Sequence, residues 1–239
     1  MKYCAPDPIH YDEFDKSKFL LKRNVGKYTA LGYRSCNNRV TRQFNEDDVR
    51  NMGIYNIANA FALLYNVTYL TSGPISSVVT LTVPPPYPEM LNTRLPLVIR
   101  ARLRRNVLNS VREPIPSYIE HQMVLMNRHP SDERGHLLAA SLGGPMHDYN
   151  FAPQTPIVNR NYGGDSYWYH IEQNIRDRLR NNNVDYIDWT LIVIYDDLQV
   201  TRRPIGFGLR FIVYDNQNNQ INDTGDMYFS NDPEGGCAI

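Results

Sequence analysis

The sequence predicts an α+β fold in which an antiparallel sheet is flanked by helices, and three observations carry that reading. Leu97 to Arg104 alternates apolar and basic residues, while Trp189–Tyr195 and Ile205–Tyr214 are runs rich in β-branched and aromatic residues, as strands are. Apolar residues recur at helical spacing at Val49, Met52, Ile57, Ala60, Phe61 and Leu64, and again at Trp168, Ile171, Ile175 and Leu179. Between these blocks, Asp132 to Glu172 gathers a cation, an imidazole, neutral amides and a carboxylate among short elements. Strand runs and helices segregated in this way build α+β architectures rather than parallel, doubly wound sheets.

Composition narrows the class. The chain has 239 residues, 42% hydrophobic and 21% charged, the balance of a globular protein. No apolar run approaches the roughly 20 residues of a membrane-spanning helix. Met1 to Pro6 lacks the apolar core of a signal peptide, so the expectation is an intracellular protein with no membrane partner. The formal net charge is zero. A polyanion binder with that total must concentrate its basic residues locally. Cys4, Cys36 and Cys237 form no Cys-x-x-Cys pair, which argues against a zinc site and a disulfide framework.

Residues 1–44 show no sustained period and read as irregular with short elements. Asn45, with Asp48 three residues on, resembles a capping box and starts a predicted helix over 46–65. Val67–Leu70 and Val78–Val83 around Ser72-Gly73-Pro74 predict a hairpin over 67–83. The prolines of 84–88 make a stiff, extended connector. A boundary near residue 92 therefore separates an N-terminal extension, 1–92, from a main unit, 93–239. One amphipathic helix has too few partners of its own, so the extension is expected to pack on that unit.

In the strand from Leu97, Ile99, Ala101 and Leu103 face one way and Arg100, Arg102 and Arg104 the other. The arginines are either a solvated outer face or a phosphate-facing, substrate-binding stripe. Gln122–Met126 reads as a short strand. The helix carrying Trp168 also bears Arg176, Arg178 and Arg180, and Asn181-Asn182-Asn183 ends it. Trp189–Tyr195 is a buried strand. Ile205–Tyr214 and Asp226–Phe229, around an Asn-rich turn, predict a terminal hairpin, with a loose tail from Asn231.

The central stretch reads Asp132-Glu133-Arg134-Gly135-His136, then Gly143-Gly144, Asn150, Pro153-Gln154, Asn159, and Trp168 four residues before Glu172. Taken with Arg203-Pro204, this order resembles the DNA/RNA non-specific endonuclease family, in its bacterial and toxin-type branch. The resemblance implies a ββα-metal core over roughly 97–231 and a nuclease acting on DNA or RNA. It implies catalytic roles for His136, Arg134 and Glu172: His136 as general base, Arg134 on the phosphate, and Glu172 accepting from a water of the ion's shell. Asn159 would hold Mg²⁺ and Asn150 would contact substrate. The chemistry agrees. An imidazole titrates near neutrality, and an amide carbonyl is a hard oxygen donor suited to Mg²⁺. Two positions stay open. The acidic residue before Arg-Gly-His is Asp132 or Glu133, and the long link after Asn159 makes Asn161 a second candidate ligand. A different class also fits the neutral charge and the Tyr-, Asn- and Pro-rich composition: a self-assembling packing protein on an inert nuclease-like scaffold, joined through its termini. An intact His136 and Asn159 pair distinguishes the two, because packing alone has no need of it.

Overall fold

The computed structural model describes residues 51–83, 93–111, 113–160, 167–195 and 202–232, with the backbone of two further strands, β1 (Tyr33–Cys36) and β2 (Arg39–Arg42). β1 and β2 pair as an antiparallel hairpin within the stretch read as irregular with short elements. Four-residue strands without apolar alternation leave no periodic mark in a sequence. The proline connector, Cys4, Cys237, Asn45, Asp48 and Asn161 lie outside the described residues, and Cys36 sits on β1.

A seven-stranded antiparallel sheet forms the centre. Its strands are β3 (Asn66–Tyr69), β4 (Ile75–Val83), β5 (Thr93–Arg104), β8 (Val184–Tyr195), β9 (Pro204–Asp215), β10 (Gln220–Asp223) and β11 (Met227–Ser230). They run in the order β10-β9-β8-β5-β4-β3, and β11 also pairs with β9. The hairpin of β3 and β4 thus joins the sheet through β4 on β5, from Ile75 opposite Ala101 to Val83 opposite Thr93. The expected terminal hairpin is instead two short strands on one long one. β10 pairs with the end of β9 at Ile212–Tyr214, and β11 with its start at Gly206–Leu209.

Strand alternation gives the sheet two faces. Trp189, Leu191 and Val193, opposite Phe211, Leu209 and Phe207, share one face; Thr190 and Ile192, opposite Arg210 and Gly208, share the other. The first face is covered by helix α4 (Tyr167–Arg180), whose Trp168 meets Trp189, Phe207 and Phe229 edge-on at centroid distances of 6.2, 5.7 and 5.0 Å. The second is covered by α1 (Ile54–Leu64), which buries Ile54, Ile57, Ala58, Ala60 and Phe61. A Cβ on Gly208 would sit 3.3 Å from Ile54 Cδ1 and closer still to Ile192, so glycine there lets the helix seat.

α1 is shorter than the predicted 46–65 because Gly53, at φ 80°, breaks the helical path just before Ile54. No side chain of its own caps it. The carboxylate Oδ2 of Asp226, 172 positions away, accepts the Ile54 N–H at 2.8 Å. Asp226 is buried, and burial pushes its carboxyl up to about 7. Arg210 Nη1 stands 3.7 Å from its other oxygen, too far for a hydrogen bond, because that guanidinium pairs in bidentate fashion with Asp223.

A small module packs on the α4 side. Helix α2 (Ser117–Leu125) replaces the strand expected at Gln122–Met126. Its apolar residues are helically spaced, with Ile119, Met123 and Met126 fully buried, and a short apolar run does not reveal its period. β6 (Glu133–His136) and β7 (Phe151–Gln154) form a separate two-stranded ribbon, followed by the one-turn helix α3 (Pro156–Asn159). Asn231, read as the start of a loose tail, is instead fully buried. Its amide donates to the Pro153 and Pro204 carbonyls and accepts from Thr155 N–H, fastening the ribbon to the sheet. Among the described residues, no helix is long and apolar enough to cross a membrane.

Candidate active site

The local fold of β6 and β7 explains why glycine precedes the histidine. Register sets Glu133 opposite Gln154, Arg134 opposite Pro153, Gly135 opposite Ala152 and His136 opposite Phe151. The buried Gln154 side chain lies across β6, where any Cβ on Gly135 would collide with it. Gly-His and Pro-Gln are thus two sides of one contact. Further on, Gly143 adopts φ 80° and a Cβ on Gly144 would strike the Leu138 carbonyl, so the loop closes only with this pair.

Asp132 and Glu133, indistinguishable in sequence, do different things. Asp132 is buried and receives Arg203 in a fork, Nε to Oδ2 at 2.6 Å and Nη2 to Oδ1 at 2.7 Å. Arg203 also donates to the carbonyl of Asn231 at 2.6 Å. Glu133 accepts from Asn159 Nδ2 at 2.7 Å and from Arg160 at 2.5 Å. A carboxylate only accepts, so the amide nitrogen of Asn159 must face Glu133, and its carbonyl oxygen is turned away.

A cavity of about 890 Å³ opens between the ribbon, α2 and α4, and its wall includes His136, Arg134, Asn159 and Glu172. The structure brings these four together. His136 ends β6 with its ring tilted against Phe151 at 4.3 Å and Nε2 3.5 Å from Met146 Sδ. Glu172 accepts from Trp168 Nε1 at 2.9 Å. Burial pushes its carboxyl up to about 7, against the lowering effects of that bond and of Arg176.

Four of the proposed residues are not brought to the cavity. Arg100, Arg102 and Arg104 lie on the α1 face, opposite the one that Trp168 covers, because their strand positions alternate with Ile99, Ala101 and Leu103. Arg100 donates to Asn59 on α1 at 2.6 Å, Arg102 forks onto Asp188 at 2.8 and 3.0 Å, and Arg104 pairs with Asp185 at 2.6 Å. These arginines are paired side chains on the sheet face away from the cavity. Asn150 is fully buried, and its amide is consumed by the loop. It accepts from Leu138 N–H at 2.8 Å and donates to the Leu138 and Pro145 carbonyls at 2.9 and 3.0 Å. It holds the β6–β7 connection and has nothing left for a substrate.

Sequence reading passed over Glu120, Arg128, Arg160 and Arg176, which also line the cavity. Arg176, given no role in the sequence reading, stands one turn after Glu172, the spacing that puts two helical side chains on one face. Its buried Nε has no hydrogen-bond partner among the described residues. Four arginines and four carboxylates thus share the wall. The lining suits a hard cation held partly by water. The wall offers carboxylate and amide oxygens beside the His136 imidazole, and no group of three or more His, Cys, Asp or Glu gathers among the described residues.

No curated protein matches the chain. Solved structures similar to it include the Sda1 nuclease with bound zinc ion, at 16% identity and TM-score 0.41 over 58% of this chain and 71% of that one. An extracellular endonuclease follows at 14% and 0.41, over 57% and 72%. The EndoG/EndoGI complex aligns at 12% and 0.39, over 58% and 67%. The model of the family described as DNA/RNA non-specific endonuclease matches residues 99–209, a span that contains the whole ribbon, the cavity's four proposed residues and Arg203. Over residues 99–209 the chain is therefore similar to the DNA/RNA non-specific endonuclease family.

Proposed function

We propose that the protein hydrolyses phosphodiester bonds of both DNA and RNA, with His136 as general base and Mg²⁺ held by the Asn159 carbonyl oxygen. The observation that carries this reading is the sharing of one cavity wall by His136 and Asn159, with Glu133 turning the amide oxygen away from itself. His136 takes the proton from an attacking water, a task for which a group titrating near neutrality is suited. Arg134 donates to the non-bridging phosphate oxygens and sets the phosphorus in line with that water. Glu172 accepts a hydrogen bond from water inside the cavity. When bound, the cation supplies positive charge to the phosphate and acidifies water for the departing 3′ oxygen.

The charge of the wall supports the need for that cation. Its arginines and carboxylates balance in number, so a polyanion gains little net attraction from the protein alone. A nicking assay on supercoiled plasmid and a parallel assay on folded RNA test the reading. Both substrates should be degraded with Mg²⁺ and left intact in EDTA. Failure of every divalent metal to support cleavage of either would overturn it.

A further inference from the structure

We propose that Arg128 extends the phosphate site of Arg134 with a second guanidinium, and that Glu120 occupies this subsite in the free protein as a stand-in for a phosphodiester. The proposal rests on the nuclease reading of the cavity, and the ligand is the backbone of a nucleic acid strand. Glu120 Oε1 meets Arg128 Nη2 at 2.5 Å, and its Oε2 stands 3.8 Å from Arg134 Nε. One oxygen thus addresses each guanidinium, as the two non-bridging oxygens of a phosphodiester would. All three side chains line the cavity and are 33–42% exposed, so a ligand from solvent can reach them.

The fold does not depend on this contact. α2 is anchored by buried Ile119 and Met123, by Tyr118 donating to the Met146 carbonyl at 2.9 Å, and by Gln122 donating to the Arg94 carbonyl at 3.1 Å. Arg128 is positioned by its own N–H on the Met123 carbonyl at 3.3 Å. A half-exposed ion pair is weak, so an incoming phosphate displaces Glu120 at little cost. The carboxylate then acts on affinity: it cancels a positive charge that the wall otherwise presents, and it weakens binding of any strand that cannot compete for both arginines.

The test measures binding of a short single-stranded DNA oligonucleotide in EDTA by fluorescence anisotropy across a salt series, with cleavage assayed separately. Glu120→Gln should bind roughly threefold to tenfold tighter than wild type. Its log-affinity should also fall more steeply with log salt, by up to about 0.7, because the site no longer carries a carboxylate that offsets one of its positive charges. Arg128→Ala should bind several-fold weaker, and in its background the gain from Glu120→Gln should shrink. Unchanged or weaker binding by a Glu120→Gln protein of normal Tm overturns the proposal, as does wild-type affinity in Arg128→Ala. If Glu120→Gln binds tighter but no variant cleaves with any metal, the subsite stands and the nuclease reading fails. If wild type cleaves and Glu120→Gln gains nothing, the subsite alone falls.

Discussion

At the scale of single residues, environment assigns roles that residue type leaves open. Glu172 and Glu133 are both carboxylates on the cavity wall, but Glu133 answers an arginine and an amide while Glu172 has an indole N–H and a desolvated pocket. Its carboxyl rises from 4.5 to about 7, so the folded state holds the proton more tightly than the unfolded chain. The resulting stability is fully present below about 4.5, is lost as pH rises towards 7, and stays lost above. Glu172→Gln keeps an acceptor for Trp168 and removes the ionisation. In EDTA, wild type should lose on the order of 2–3 kcal/mol between pH 4.5 and 8 through this group, and Glu172→Gln should lack that component. Thermal melts of both proteins across this range check it; parallel pH profiles would contradict the burial assigned to Glu172.

At the scale of elements, the ribbon and its loop act as a bracket that delivers His136 and Asn159 to one place. Asn150 is central to that bracket, with three side-chain hydrogen bonds that Ala cannot replace. Asn150→Ala should therefore cost about 2–4 kcal/mol, since it strands buried backbone groups. Below its lowered Tm it should leave the KM for nucleic acid nearly unchanged. A large rise in KM with normal Tm would restore Asn150 as a substrate contact. The sequence showed this bracket well in part. Gly-His, Pro-Gln and the second Asn could be read in order because each is short-range and chemically distinctive. What it hid was direction and partnership. Period two put the three arginines of β5 together, but only α1 and Trp168 decide which face is outward. Gln122–Met126 was misread because five residues are too few to separate a strand from a helix. Asp132 and Glu133 could be told apart only through Arg203 and Asn159, which are distant in sequence.

At the scale of the molecule, long strands and a long-range cap tie distant segments into one sheet: β4 lies on β5, and Asp226 beside β11 caps α1. The neutral total charge is mirrored in a cavity whose arginines and carboxylates match, so attraction for a polyanion depends on the added cation and on which carboxylates give way. The central claim is that this cavity is a working site rather than a packing feature, and His136→Ala tests it most directly. The ring is half-buried against Phe151 at the cavity edge, so its loss should leave Tm close to wild type. Loss of a general base should slow cleavage of plasmid and RNA roughly 10²–10⁴-fold, at every pH where wild type is active. A variant that cleaves at the wild-type rate, or one whose main defect is a collapsed Tm, would contradict the account.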